Sequence, residues 1–342
     1  MYSFRNDYSE GAHPQVLQSL ADTNLEQTCG YGLDPECAAA ADLIRGLCQA
    51  PDAAVHFLVG GTQTNLVVAD ALLQSYEAVI AAHTGHVNVH ETGAIEATGH
   101  KVCTVHSPDG KLTAEQVEAV VAAHFSEHMV HPRLVYISDT TETGTLYSKA
   151  ELTALRNCCD EHGLLLYLDG ARLGSALAAP GNDLTLPDLA ALTDAFYIGG
   201  TKNGALFGEA LVMTTSCPRF RWHMKQRGAV LAKGRLLGVQ FQALLKDGLY
   251  LEIARHANEM AFRLRDGIAA LGYSFPAESS SNQQFPILPN PVMKALQDKG
   301  YEFEIDHAED DGHTCIRLVT SWATPENAVD TFLRDLADCG TL

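Results

Sequence analysis

The chain lacks a run of apolar residues long enough to cross a bilayer as a helix, which takes about 20 in succession. Positive charge is scarce: 23 Lys and Arg stand against 42 Asp and Glu, a net charge of −19. A nucleic acid or an anionic membrane surface needs a basic footprint, so neither is expected as a partner. Acidity of this size serves solubility. The nine cysteines, Cys29, Cys37, Cys48, Cys103, Cys158, Cys159, Cys217, Cys315 and Cys339, are odd in number and never spaced CxxC. Neither a zinc ribbon nor a disulfide framework is therefore indicated, and reduced cysteines used as small apolar residues are expected. The opening MYSFRNDYSEGAHP has no basic region followed by an apolar run, so it is not read as a signal peptide, and the expected compartment is the cytoplasm. Neither GxGxxG nor GxxxxGK[ST] occurs, so the nucleotide fingerprints are missing as well.

What is present is an ordinary globular composition, 46% hydrophobic and 19% charged over 342 residues, with an alternating pattern. Strands are expected at 56–59, 78–81, 101–105, 134–138, 164–168, 195–198 and 210–213. Between them, helices are expected at 64–74, 91–98, 113–124 and 148–162. Helices at 14–21 and 38–48 come first, the latter opened by Asp34, Pro35 and Glu36 as cap, first-turn proline and dipole partner. The alternation predicts a mainly parallel α/β sheet covered by helices on both faces. A long helix at 250–271 then introduces a different pattern, with strands at 275–288, 299–305 and 315–320, helices at 291–299 and 325–337, and a hairpin turn at 308–312. This divides the chain into an arm (1–13) laid over a larger body, a large domain (14–248) and a small C-terminal α+β domain (249–342).

Chemistry concentrates between Gly163 and Gly208. The strand in LLLYLDGARLG ends in one carboxylate, Asp169, at the edge where α/β sheets bind ligands. The strand in FYIGGTKNGALFG ends in Lys202, the one lysine between Lys149 and Lys225, on a turn of glycines. A buried carboxylate can hold a proton on a pyridine nitrogen, and an amine on a rigid turn can condense with an aldehyde. Together they point to pyridoxal 5'-phosphate as cofactor. A third stretch, HFLVGGTQTNL, runs a strand into Gly60, Gly61, Thr62 and Gln63 and then a helix, which brings backbone amides and a positive helix end to a phosphate. His86 is read as stacking on the cofactor ring. His83 and His90 lack acidic partners in metal-binding spacing, so no metal is expected. Arg317, alone in the apolar strand CIRLVTSW, and Arg172 are the candidates for an amino-acid carboxylate; an internal salt bridge is the competing role for each.

Taken together, LDGARL, YIGGTKNG, GGTQTNL, HVNVHETGAIEATG, YGLDPE and IRLVTSW resemble the low-specificity L-threonine aldolase family, in the β-eliminating-lyase-like branch of fold-type-I pyridoxal-phosphate enzymes. The resemblance runs from Phe4 to about Leu336. It implies a fold-type-I transferase-like architecture, with Lys202 as the Schiff-base lysine, Asp169 as the partner of the ring nitrogen and His86 on the ring face. Gly61, Thr62 and Thr201 match phosphate positions, with Gln63 beside them, and Arg172 and Arg317 match carboxylate-binding arginines. Asn6 stands where the family has a serine in an RSD-type motif. Glu142 stands where many members have a histidine that contacts the substrate hydroxyl, with Tyr147 assigned to the same pocket. Leu231 falls where a phosphate arginine is expected, which leaves Lys233 or Arg235 to reach a neighbouring subunit's phosphate. Family members are homo-oligomers, commonly tetramers, so a homodimer or homotetramer with active sites at a subunit interface is implied.

The reaction expected from this is lyase cleavage of the Cα–Cβ bond of a β-hydroxy amino acid to glycine and an aldehyde, with Glu142 or a water near His86 taking the hydroxyl proton. The alternatives are β-elimination to a keto acid and ammonia, a non-catalytic pyridoxal-phosphate-binding oligomer, and transamination.

Overall fold

The computed structural model describes residues 2–340. Seven strands, β1 (Ala54–Leu58), β2 (Glu77–Ala82), β3 (Val102–Val105), β4 (His131–Ser138), β5 (Leu165–Asp169), β6 (Ala195–Gly199) and β7 (Glu209–Met213), form one sheet in the order β1-β7-β6-β5-β4-β2-β3. The pairs β2–β3, β2–β4, β4–β5 and β5–β6 are parallel, and β7 runs antiparallel to both of its neighbours. Every residue of β2, β5 from Leu166 onward, β6 and β7 is buried, as expected for strands covered on both faces.

The strict two-residue period of a strand sorts these apolar runs between two cores. Ile80, Val135, Ile137, Leu166, Leu168, Phe196, Ile198, Ala210 and Val212 face one core, shared with Ile44, Leu152, Leu155, Phe241 and Leu244 of the helices on that side. Val79, Leu134, Tyr136, Tyr167, Tyr197, Leu211 and Met213 face the other, against Val67 and Val68 of helix Gly61–Leu72 and Phe220 and Met224 of helix Phe220–Gln226. The helix starts follow their caps. Asp34 accepts from the Cys37 amide at 2.8 Å, and Thr113 and Ser148 form capping boxes with Gln116 and Glu151.

The C-terminal part is antiparallel. β10 (Glu304–Ala308) and β11 (His313–Val319) form a hairpin, and β11 also pairs with β8 (Gln283–Gln284) and β9 (Ile287–Pro289). Helix Leu249–Ala270 links the two parts, giving Tyr250 and Ile253 to the first core and Met260, Leu264 and Ile268 to the C-terminal one.

Four expectations change here. The helix at 91–98 is instead a single turn, His86–Val89, and a 3₁₀ turn, Glu96–Thr98, because Thr92 and Gly93 both take positive φ and break the ladder. The strand at 275–288 shrinks to β8 and β9, since Pro276 and Pro286 cannot donate to a ladder and the serines between them turn inward. The strand at 299–305 begins only at Glu304. The N-terminal residues are not merely an overlay: Phe4 is fully buried in the C-terminal core, its amide donating to the Glu302 carbonyl and its carbonyl accepting from Val319, each at 2.8 Å.

Candidate active site

The C-terminal ends of β4, β5 and β6 place Ser138, Asp169 and Gly199 along one edge of the sheet, and the turn after β1 joins them. There a cavity of about 300 Å³ is lined by Gly60, Gly61, Thr62, His86, Glu142, Asp169, Arg172, Thr201 and Lys202, and also by Tyr8, Ser138, Thr140, Tyr197 and Glu209. Residues separated by up to two hundred positions meet because parallel strands all point the same ends at the same edge.

Asp169 is held by four donors. The Tyr136 hydroxyl (2.7 Å) and the Asn65 amide (2.9 Å) bond Oδ2, while the Ala171 backbone amide (3.0 Å) and the Tyr197 hydroxyl bond Oδ1. Burial works to raise its pKa, but the His86 charge and the tyrosine and amide bonds outweigh burial and lower it, so the carboxylate stays charged in a dry site. Gly170 follows because nothing larger fits: a Cβ there would lie 1.8 Å from the Tyr197 carbonyl oxygen.

Lys202 stands half-buried on the turn after β6, lining the cavity. Burial, then the charge of Arg172, lower its pKa against the pull of Asp7, Asp169 and Glu209, which favours the free amine needed for condensation with a carbonyl. Its turn is fastened by Thr201, whose hydroxyl donates to Glu209 Oε1 at 2.8 Å and accepts from the Gly208 amide at 3.0 Å. In helix Gly61–Leu72 the first intrahelical bond is Thr64 N–H to Gly60 O at 3.0 Å, so the amides of Gly61, Thr62 and Gln63 precede the helix's own ladder.

His86 opens its short helix with its amide donating to Glu142 Oε1 (2.9 Å) and its ring Nδ1 on Glu91 Oε1 (2.8 Å). Glu91 Oε1 also accepts from Asn65 (2.7 Å), whose amide nitrogen reaches Asp169, and the Tyr167 hydroxyl donates to Asn65 Oδ1 (2.8 Å). One chain of bonds therefore runs from the His86 ring to Asp169. Glu142 is half-buried, and desolvation raises its pKa against the bonds from Ser138 (2.8 Å) and His86. A carboxylate whose pKa has moved toward neutrality suits proton transfer.

The two arginines exchange the roles that the sequence left open. Arg172 forms the internal salt bridge: its Nε and Nη2 lie 2.8 and 3.1 Å from the two oxygens of Asp7, a buried residue that Asn282 also holds at 2.9 Å. Arg317 makes no ion pair among the described residues, and its Nε is buried without a partner. Its cross-strand neighbour Glu304 is taken by Arg5. Arg317 does not line the cavity, but burial and the nearby charge of Arg172 both depress its pKa while Asp7 and Glu304 pull it up, which puts it within electrostatic reach of that pair.

Several expected residues lie elsewhere. Tyr147 is buried in the first core and accepts from the Leu112 amide at 2.6 Å, outside the cavity. The Gln63 side chain folds back to the Val59 amide (3.3 Å) and the Arg227 carbonyl (3.2 Å). Asn6 makes a local turn, accepting from the Tyr8 amide and the Ser9 hydroxyl, each at 2.9 Å. Lys233 is exposed and away from this cavity. His83 stacks on His106 at 4.6 Å and accepts from Ser107, so the three histidines do not converge. Sequence reasoning missed Asp7, Asn65, Tyr136, Tyr197 and Glu209. One signal was available for two of them: β4, β5 and β6 each carry a tyrosine two residues before their last position, and that parity turns all three rings to the face of Asp169.

A parallel sheet with one reversed strand, a carboxylate and a lysine at its edge, and a helix start beside them define a fold-type-I pyridoxal-phosphate enzyme. The aspartate aminotransferase of Thermus thermophilus has the same fold, with TM-score 0.72 over 97% of this chain and 89% of that one at 18% identity. Residues 4–289 match the beta-eliminating lyase family, and the chain belongs to it, among the low-specificity L-threonine aldolases. It is 34% identical over 340 residues to the low specificity L-threonine aldolase of a Pseudomonas species, covering 97% of this chain and 96% of that protein. It is 33% identical to the Pseudomonas aeruginosa enzyme of the same name over the same shares. A threonine aldolase structure from Leishmania major superposes with TM-score 0.97 at 51% identity over 99% of both chains.

Proposed function

We propose that this chain cleaves the Cα–Cβ bond of β-hydroxy amino acids, L-threonine among them, to glycine and an aldehyde. The observation that carries the reading is a negatively charged, four-bonded Asp169 and a half-buried Lys202 with a lowered pKa facing one cavity of about 300 Å³. Pyridoxal 5'-phosphate fits this donor set: Asp169 for a protonated ring nitrogen, Lys202 for the aldehyde, His86 over one face, the 61–63 amides with Thr62 for the phosphate. When bound, it supplies the electron sink that bond cleavage next to an amine needs.

The protein's own groups do the rest. Arg317, with an unpaired guanidinium edge, receives the substrate carboxylate, and Arg172 is held beside it by Asp7. Glu142 takes the β-hydroxyl proton, steadied by Ser138 and the His86 amide. Glu91 fixes the His86 ring through Nδ1, leaving Nε2 for the substrate side. The test is incubation with L-threonine, L-allo-threonine and phenylserine, assaying glycine and aldehyde. Ammonia and a keto acid without aldehyde select β-elimination, and absence of glycine from every substrate overturns the proposal.

Self-association is part of the same reading. Tyr31, Leu33, Leu206 and Trp222 are 48%, 67%, 44% and 71% exposed. Near Tyr31 and Leu33, a second cavity of about 310 Å³ holds Arg221 and Leu231, and Arg235 keeps two guanidinium nitrogens buried without partners. An apolar surface beside an unsatisfied cation, Arg235, suits an interface reaching a neighbour's phosphate. Sedimentation should give a dimer or tetramer, and Trp222→Glu should weaken it. All nine cysteines are unpaired, in keeping with a reducing, cytoplasmic setting.

A further inference from the structure

Glu209 is the acidic cavity residue to which the proposed reaction gives no task. It opens β7 as the cross-strand partner of both Leu58 and Gly199, so it stands between the turn after β1 and the turn that carries Lys202. Its Oε2 accepts from the Gly200 amide at 3.0 Å and its Oε1 takes the Thr201 hydroxyl proton at 2.8 Å. A hydroxyl has one proton to give, and the Thr201 proton is spent here. Gly60, Gly61 and Thr62 line the same cavity, so a phosphate placed on them shares its surroundings with this carboxylate. A like charge brought beside it in a dry site disfavours the ionised form of Glu209.

We infer that Glu209 is a proton gate on phosphate capture. Where Glu209 is ionised beforehand, its carboxylate takes one proton from solvent when the cofactor's phosphate enters. Its new O–H donates to the Thr201 oxygen, which keeps its bond from the Gly208 amide, and the Thr201 O–H turns to the phosphate. No heavy-atom bond forms or breaks. The inference rests on the cofactor reading above.

The groups facing Glu209 agree with this. From β6 and its turn come Tyr197 and Lys202, from β5 Tyr167 and Asp169, and from helix Leu249–Ala270 Tyr250, whose hydroxyl donates to the Gly199 carbonyl at 2.9 Å. Residues 58–62 bring no charge, and helix Arg235–Leu245 presents Leu237 and Gln240 to residues 206–208. Burial raises the Glu209 pKa to about 8, even though the Thr201 and Gly200 bonds and the Lys202 charge pull it down.

The experiment compares binding of pyridoxal 5'-phosphate and of 5-deoxypyridoxal to the apoprotein. Both share ring and aldehyde, so the ratio of their affinities isolates the phosphate, whose second ionisation near pH 6 is complete above pH 7. For a gate titrating at about 8, the phosphate advantage falls about tenfold between pH 7 and 9, from (1 + 10)/(1 + 0.1). In Glu209→Gln, neutral at every pH, it changes less than about twofold. Calorimetry of the wild type in two buffers at pH 9 needs no variant. It should show roughly one more proton taken up with the phosphate than without it. A pH-independent ratio in the wild type, equal proton uptake for both compounds, or a Glu209→Gln slope equal to the wild type overturns the gate. Failure of both compounds to give a borohydride-bleached visible band overturns the cofactor reading instead.

Discussion

Truncating each arginine in turn separates a substrate contact from a structural one. Arg317→Ala removes a guanidinium that has no ion-pair partner among the described residues, so under the proposed function the loss should fall on substrate alone. A charge-assisted bond contributes about 1.5–3 kcal/mol, so losing a fork of two costs on the order of 3 kcal/mol, or a hundredfold rise in KM. The melting temperature should barely move, because no buried partner is stranded. Arg172→Ala strands Asp7, which is 1% exposed and tethers the N-terminal segment to the sheet edge. Breaking a buried ion pair costs roughly 3–5 kcal/mol, and at about 2–4 °C per kcal/mol the melting temperature should fall by roughly 6–20 °C. Steady-state aldehyde release against threonine concentration and a thermal melt read the two effects. Equal KM increases with unchanged melting temperatures in both variants would refute the division of labour.

Three further outcomes are expected. Glu142→Gln should lower kcat by about two orders of magnitude. Because burial raises the Glu142 pKa, wild-type kcat/KM should fall as pH drops through that raised value, and a pH profile of the variant should lack this acid limb. Asp139 is buried with its pKa raised to about 8, so the folded state binds a proton that the unfolded state releases near pH 4. Its contribution is therefore full below pH 4 and lost as pH rises toward 8, and denaturant midpoints of Asp139→Asn should show a flatter loss across that window. Tyr147→Phe should leave threonine KM unchanged and cost about 1–3 kcal/mol in chemical denaturation, since its hydroxyl serves the buried Leu112 amide and not the cavity.

Much of the arrangement was readable along the chain. Asp169 and Lys202 each end an apolar strand, and the 60–63 turn precedes a helix, so their place at the sheet edge follows from local pattern and the parallel-sheet rule. The helix cap at Asp34 was equally legible, because a cap is made by residues two or three positions apart. The misreadings were of another kind. Nothing within 91–98 announces the positive φ of Thr92, and β8 and β9 are too short for periodicity to show.

The sequence by itself determined the class of chemistry: one carboxylate, one amine and one glycine turn, each placed by a strand whose apolar period is two. The tertiary structure alone decided how those groups are charged and shared. Asp7 claims Arg172 from 165 positions away and leaves Arg317 without an ion pair among the described residues; Asn65 ties Asp169 to Glu91 and so to His86; Glu209 accepts the hydrogen bond of the Thr201 hydroxyl. Charge state depends on burial and on neighbours in space, and neither distance nor burial is written in the order of residues. That is why the lone carboxylate and amine could be found from the chain, while the partners that set their protonation could not.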